Sequence, residues 1–266
     1  MDPLERIASA LERLSPPPPV AVDPHAAPAY LWRGSTLGVA DRFAPLSIDL
    51  LIGIERQKAA LRENLARFAN GAAAQDVLLW GARGTGKSAL VKSTVADVQT
   101  RTTALALVEI GTLETLPTLF DQLARVPRAF VLFIDDLGFD GLAEARAMRS
   151  MLDGGAESRP ANVRLIVTAN RRHLLPRDLA EQDGAINPRD SIDDHLALAD
   201  RFGLSLGFHV LDQDGYLAIV AAYAARHDLT FDPVDAIGWA TRRGSRSGRV
   251  AWQYVVEIAG RAGRPL

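Results

Sequence analysis

The sequence predicts an α/β fold: a five-stranded parallel αβα core followed by a small all-helical lid. Three observations predict it. "DVLLW" (76–80), "ALALVEI" (104–110), "AFVLFIDD" (129–136) and "NVRLIVTAN" (162–170) are short, nearly continuous apolar runs, the pattern of strands buried on both faces. Helical segments at 87–99, 113–125 and 141–152 separate them, and such alternation indicates a parallel sheet with right-handed crossovers. After a long connection and a fifth run, "LSLGFHV" (204–210), the chain ends in helical stretches near 214–227, 233–243 and 249–262.

The elements follow in order. Leu4, Ile7, Ala8, Leu11 and Leu14 fall on one face of a short N-terminal amphipathic helix. "SPPPP" (15–19) ends it, because proline lacks the amide proton and clashes with the preceding turn. Residues 15–45 are rich in proline and poor in periodicity, as in a linker or extended arm. "IERQKAALRENLARFANG" (54–71) carries helical spacing and stops at Asn70-Gly71. The expected division is therefore 1–45 for the N-terminal helix and arm, 46–210 for the core and 211–266 for the lid.

Composition narrows the classes. The 266 residues are 48% hydrophobic and 23% charged, with a net charge of −2, so no global charge draws the chain to nucleic acid or an anionic membrane. Cysteine is absent, which excludes disulfides and thiolate metal sites and fits a reducing cytoplasm. No apolar run reaches the roughly 18 residues of a membrane span, and the acidic start "MDPLERIASALERL" is not a signal peptide. A cytoplasmic protein is expected. The five histidines (His25, His173, His195, His209, His227) show no metal-ligand spacing.

The chain has only three lysines, Lys58, Lys87 and Lys92. One stands in "GARGTGKS" (81–88), which matches G-x-x-x-x-G-K-[ST] between an expected strand and an expected helix. Gly81, Gly84 and Gly86 let the backbone turn its amides inward around a phosphate. The following helix presents its positive N-terminal end to the same anion. Lys87 can reach between the β- and γ-phosphates as a compact charge, and Ser88 offers a hydroxyl to Mg²⁺. The expected loop for ATP thus comprises Gly81, Ala82, Arg83, Gly84, Thr85, Gly86, Lys87, Ser88 and Ala89.

"FVLFIDDL" (130–137) supplies carboxylates at the end of a buried strand, where they are costly unless a cation or donors satisfy them. Asp135 is placed to hold Mg²⁺ through its water shell. Asp136 is the candidate to orient or deprotonate an attacking water.

With these residues in hand, the chain resembles a AAA+ ATPase, with Walker A at 81–88 and Walker B at 131–136. "FIDDLGFD", "TANRRHL", "LADRFGLSLGFH" and "RRGSRSGRVAWQ" resemble a bacterial AAA+ ATP-binding family known only as a domain of unknown function, over about residues 46–262. The resemblance implies a sensor 1 role for Asn170. It implies an arginine finger for Arg201, offered to a neighbouring subunit's ATP. It implies a sensor 2 arginine at Arg249, with Ser247 as N-cap and Arg246 as a rival. Ile52 and Gly53 fall where the superfamily contacts adenine. Most members follow the Walker B aspartate with glutamate, whereas this chain has Asp136, as replication initiators and helicase loaders often do.

Two further clusters are basic. "TRRGSRSGR" (241–249) gathers four arginines that could touch a nucleic-acid backbone, but no aromatics interleave; phosphate sensing with a solvated face is the simpler reading. "RRH" (171–173) sits at the subunit-facing edge in the AAA+ arrangement. The expectation is a homo-oligomeric Mg·ATP-dependent ATPase that remodels or assembles a protein or nucleic-acid partner, away from membranes. Its alternative is an ATP-gated binding or scaffold module with negligible turnover.

Overall fold

The structure, a computed structural model, describes residues 2–6, 22–137, 152, 159–170 and 200–266. The expected helix at 141–152 and the "RRH" segment lie outside these residues, apart from Leu152. Of the N-terminal helix only residues 3–6 are described, and they are helical.

A sheet of seven strands forms the centre. In chain order they are β1 (Ala29–Trp32), β2 (Leu37–Val39), β3 (Val77–Gly81), β4 (Leu105–Ile110), β5 (Ala129–Ile134), β6 (Val163–Asn170) and β7 (Leu204–Phe208). Their spatial order is β2-β1-β4-β5-β6-β3-β7, and every pairing is parallel except β1 with β2. The five strands expected from apolar runs are all present. Helices α1 (Glu55–Ala69), α2 (Lys87–Gln99) and α3 (Leu116–Leu123) lie between strands. Leu61, Leu65, Leu90, Val91 and Val95 bury against one face of the sheet, and Leu116, Leu119, Phe120 and Leu123 against the other.

The strand count corrects the sequence expectation, because β1 and β2 come from the stretch read as part of the arm. Four and three residues long, they are too short to show periodicity, yet β1 buries Tyr30 and Trp32 completely or nearly so. Polar anchors fix the segment. The Trp32 indole donates to Thr115 Oγ1 (2.8 Å), and the Tyr30 hydroxyl donates to the Asp23 carbonyl (2.9 Å). Arg128 donates to the carbonyls of Pro24 and Ala27 (2.8 Å each).

Three helices follow the sheet: α4 (Gln213–Arg226), α5 (Pro233–Arg242) and α6 (Gly248–Arg261). Each starts on a side-chain cap, Asp212, Asp232 and Ser247 respectively, accepting an amide of the first turn. Their shared core contains Tyr216, Val220, Ala236, Tyr254 and Val255, against which Leu50, Ile52 and Leu211 pack. Among the described residues no helix is long and apolar enough to cross a membrane.

Candidate nucleotide site

Strand register brings the candidate residues together. Gly81 at the end of β3 lies opposite Asn170 on β6 and opposite Phe208 on β7. Asp135 and Asp136 follow β5 directly. All therefore gather at the carboxyl ends of the parallel strands, where open α/β sheets form their ligand crevices.

The loop from Gly81 to Ser88 is shaped by its glycines. At Gly81 (φ +141°) a Cβ would stand 2.0 Å from the Phe208 carbonyl oxygen, so only glycine lets β3 end against β7. At Gly84 (φ +78°) a Cβ would meet Ser247 Oγ at 3.0 Å and Arg249 Cβ at 3.5 Å. The loop tip thus touches the start of α6. Gly86 precedes α2 as a left-handed cap without a side-chain hydrogen bond, and no acidic residue occupies the first turn of α2. The positive end of that helix is left uncompensated by its own residues.

Lys87 is buried, and its ammonium donates to the carbonyls of Gly81 (2.9 Å) and Ala82 (2.8 Å). Burial holds it below its ordinary value, Asp136 and Asp135 oppose that shift, and Arg83 and Arg249 add to it. Thr85 donates its hydroxyl back to Ala82 (2.8 Å), bracing the loop. Ser88 Oγ donates to Asp135 Oδ1 (2.6 Å). A hydroxyl and a carboxylate side by side are hard oxygen donors that suit Mg²⁺.

Asp136 is held in a left-handed conformation (φ 53°), uncommon for a residue other than glycine. Thr168 explains how. Its hydroxyl accepts the Asp136 amide (2.7 Å) and donates to Asp135 Oδ1 (2.7 Å). Asn170 Nδ2 donates to Asp136 Oδ1, and Arg83 Nη2 donates to Asp136 Oδ2 at 3.4 Å. Sequence reasoning missed Thr168. The available signal was its place two residues before Asn170, on the same side of β6.

A cavity of about 500 Å³ opens between the loop, the 3₁₀ turn at Ile48–Leu50 and helices α4 and α6. Its walls combine Gly84, Thr85, Gly86, Lys87, Ser88 and Ala89 of the loop with the apolar Leu46, Leu50, Leu51, Ile52, Ile54, Leu211, Ile219, Tyr223 and Trp252. A glycine-rich loop with a cation, together with an apolar lining, suits a nucleotide's phosphates and base. Ile52 is part of that lining, and a Cβ at Gly53 would stand 3.6 Å from Leu211. Both Arg246 and Arg249 are exposed, but only Arg249 is among the cavity's walls. Arg201 stands apart: it is exposed in the turn before β7, at the end of the sheet opposite the loop, where Leu204 bonds Asp76. The structure brings Ser88, Asp135, Asp136 and Asn170 together with the loop and does not bring Arg201 there.

A family model described as "Protein of unknown function (DUF815)" matches residues 25–262. The chain belongs to the DUF815 family. The match begins ahead of β1, so the two N-terminal strands are part of this family's domain. Among solved structures, this DUF815 chain is similar to the Thermotoga maritima RuvB Holliday junction branch migration motor. The TM-score is 0.54 at 21% identity, covering 84% of this chain and 68% of that one. It is also similar to the Aeropyrum pernix ORC1 protein in complex with DNA, with TM-score 0.55 at 17% identity, covering 80% and 64%. The DUF815 chain therefore has the AAA+ fold. A comparison with curated proteins gives no match.

Proposed function

We propose that this chain is a Mg·ATP-binding AAA+ ATPase that couples hydrolysis to remodelling or assembly of a macromolecular partner. The observation that carries the reading is the 2.6 Å contact between Ser88 and Asp135 beside the buried Lys87. It joins the phosphate loop to the end of β5 as a metal-dependent triphosphate site requires. Ser88 and Asp135 would hold Mg²⁺, whose chemistry is to neutralise charge on the phosphates. In this reading Gly81 through Ala89 cradle the phosphates, Ile52 and Gly53 border the base, and Arg249 senses the phosphates from the lid. Asp136 and Asn170 position water. Arg201 serves the nucleotide of a neighbouring subunit, so the working form is a homo-oligomer, and the cytoplasm is its compartment. The division at 210 makes the last three helices a lid whose first and third helices border the cavity, whereas residues 29–39, ahead of the division expected at 45, belong with the core sheet. RuvB is described as a Holliday junction motor and ORC1 as a complex with DNA, and a nucleic-acid partner stands in this reading beside a protein one.

A second reading, an ATP-gated scaffold with negligible hydrolysis, is favoured by one observation: both carboxylate oxygens of Asp136 are engaged, by Asn170 and Arg83. Phosphate release separates the two readings. The ATPase reading expects turnover in the parent, none in Asp136→Asn with Mg·ATP binding kept, and none in Arg201→Ala. A mixture of Arg201→Ala with Lys87→Ala should regain activity, since an arginine supplied in trans is worth about 10³–10⁵ in rate. No release from the parent, with or without partners, supports the scaffold.

A further inference from the structure

Arg83 occupies a variable position of "GARGTGKS", and cradling phosphates with backbone amides asks for no side chain there. The structure nevertheless gives this side chain a specific partner. Its guanidinium reaches across from the loop to Asp136 Oδ2 (3.4 Å), on the segment after β5, while Asn170 holds Oδ1. Asp136 is fixed in turn by its left-handed backbone and the Thr168 hydroxyl. The carboxylate is thus the anchored member of the pair, and Arg83, 74% exposed along its side chain, is the movable one. Arg83, Asp136, Asp135 and Arg249 all act on the charge of Lys87, so the pair lies within the field of the loop's lysine.

Resting on the nucleotide reading above, we propose that Arg83 distinguishes nucleoside triphosphates from diphosphates by changing partner from Asp136 to the terminal phosphate. A guanidinium binds phosphate in the same forked geometry as carboxylate, and a phosphate group carrying up to two charges outcompetes a carboxylate carrying one. Loop amides and Lys87 already serve the phosphates a diphosphate brings, so a diphosphate leaves Arg83 on Asp136. A triphosphate gains the Arg83 contact and, in the same exchange, frees one oxygen of Asp136. One residue would then couple recognition of the third phosphate to release of the carboxylate proposed to position water.

The test uses binding, which requires no turnover. Calorimetry in Mg²⁺ measures the affinities of a non-hydrolysable ATP analogue and of ADP for the full chain, Arg83→Ala, Arg83→Gln, Asp136→Asn and the double variant Arg83→Ala/Asp136→Asn. Losing one charge-assisted contact should weaken the triphosphate about tenfold or more in Arg83→Ala and in Arg83→Gln, which keeps the side chain's bulk, and leave ADP within about twofold. Asp136→Asn removes the competing charge and should tighten the triphosphate; with Arg83 absent that gain should shrink at least about threefold, the signature of coupled residues. Equal losses for both nucleotides, no loss, or an undiminished Asp136→Asn gain in the double variant would overturn the role of Arg83 while leaving the site intact. A folded parent that binds neither nucleotide would overturn the nucleotide reading and this inference together.

Discussion

The two ends of the central strands satisfy their polar groups in different proportions. At the amino ends, buried and half-buried side chains bond mostly to the chain's own backbone. Arg128 donates to Pro24, Ala27 and Leu105 carbonyls, and Asn162 to those of Leu123, Val126 and Arg128. Asp76 accepts the Leu165 amide (2.8 Å) as well as the Arg159 guanidinium (2.5 Å), and Arg164 lies over the Phe68 ring while donating to Ala74 (2.8 Å). At the carboxyl ends, beside the Lys87 bonds to the Gly81 and Ala82 carbonyls, side chains bond to side chains from other elements: Ser88 and Thr168 to Asp135, Asn170 and Arg83 to Asp136. Backbone acceptors are fixed by the fold, so the first kind of bond holds structure. The second kind can be exchanged for a ligand's oxygens. Changes at the two ends should accordingly separate binding from stability.

The largest expected effect is at the carboxyl end. Lys87→Ala should cost about 2–5 kcal/mol of ATP affinity, the range for truncating one partner of a buried charged contact, with an unchanged circular dichroism spectrum. Next comes Arg128→Met, which strands buried carbonyls and should lower unfolding free energy by about 1–3 kcal/mol in urea titration, with ATP affinity kept. Thr168→Val should be smaller. It deletes the hydroxyl between Asp135 and the Asp136 amide, costs about 1 kcal/mol of stability, and weakens the Mg²⁺ dependence of nucleotide affinity. An unchanged Mg²⁺ dependence would reduce Thr168 to a structural role.

A further effect lies in the helical module. Burial pushes the Tyr216 phenol up to about 12, and burial with the nearby Asp235 charge does the same for Tyr254. An unfolded phenol ionises near 10. Between about pH 10 and 12 the folded chain therefore binds more protons than the unfolded one, and stability falls as pH rises through that window. Denaturation midpoints followed by Trp252 and Trp239 fluorescence should decline there, and Tyr216→Phe should flatten the decline.

Much of this was legible because it is local. The phosphate loop, the Asp135-Asp136 pair and five buried strands are each written within eight or nine consecutive residues, and strands buried on both faces leave few alternatives to apolar runs. What was not legible depends on register and return of the chain. β1 and β2 are too short for periodicity, and β1 becomes central only by pairing with β4. Thr168 gains its role from lying on β6, beside the end of β5. The apolar lining draws Leu46 from ahead of α1 and Tyr223 and Trp252 from α4 and α6, which no single stretch announces. Arg83 read as one more loop position until its partner across the loop was known.

The most direct test of the contrast between the two ends is thermal melting of three proteins, each with and without Mg·ATP. A ligand that binds only the folded state at a hundred times its dissociation constant adds about 2.7 kcal/mol. The parent should therefore melt several degrees higher with nucleotide. Lys87→Ala should melt like the ligand-free parent and gain nothing from nucleotide, while Arg128→Met should melt lower yet keep the full nucleotide-induced rise. A Lys87→Ala protein that is stabilised by Mg·ATP as much as the parent, or an Arg128→Met protein that keeps the parent's melting point, would contradict the account.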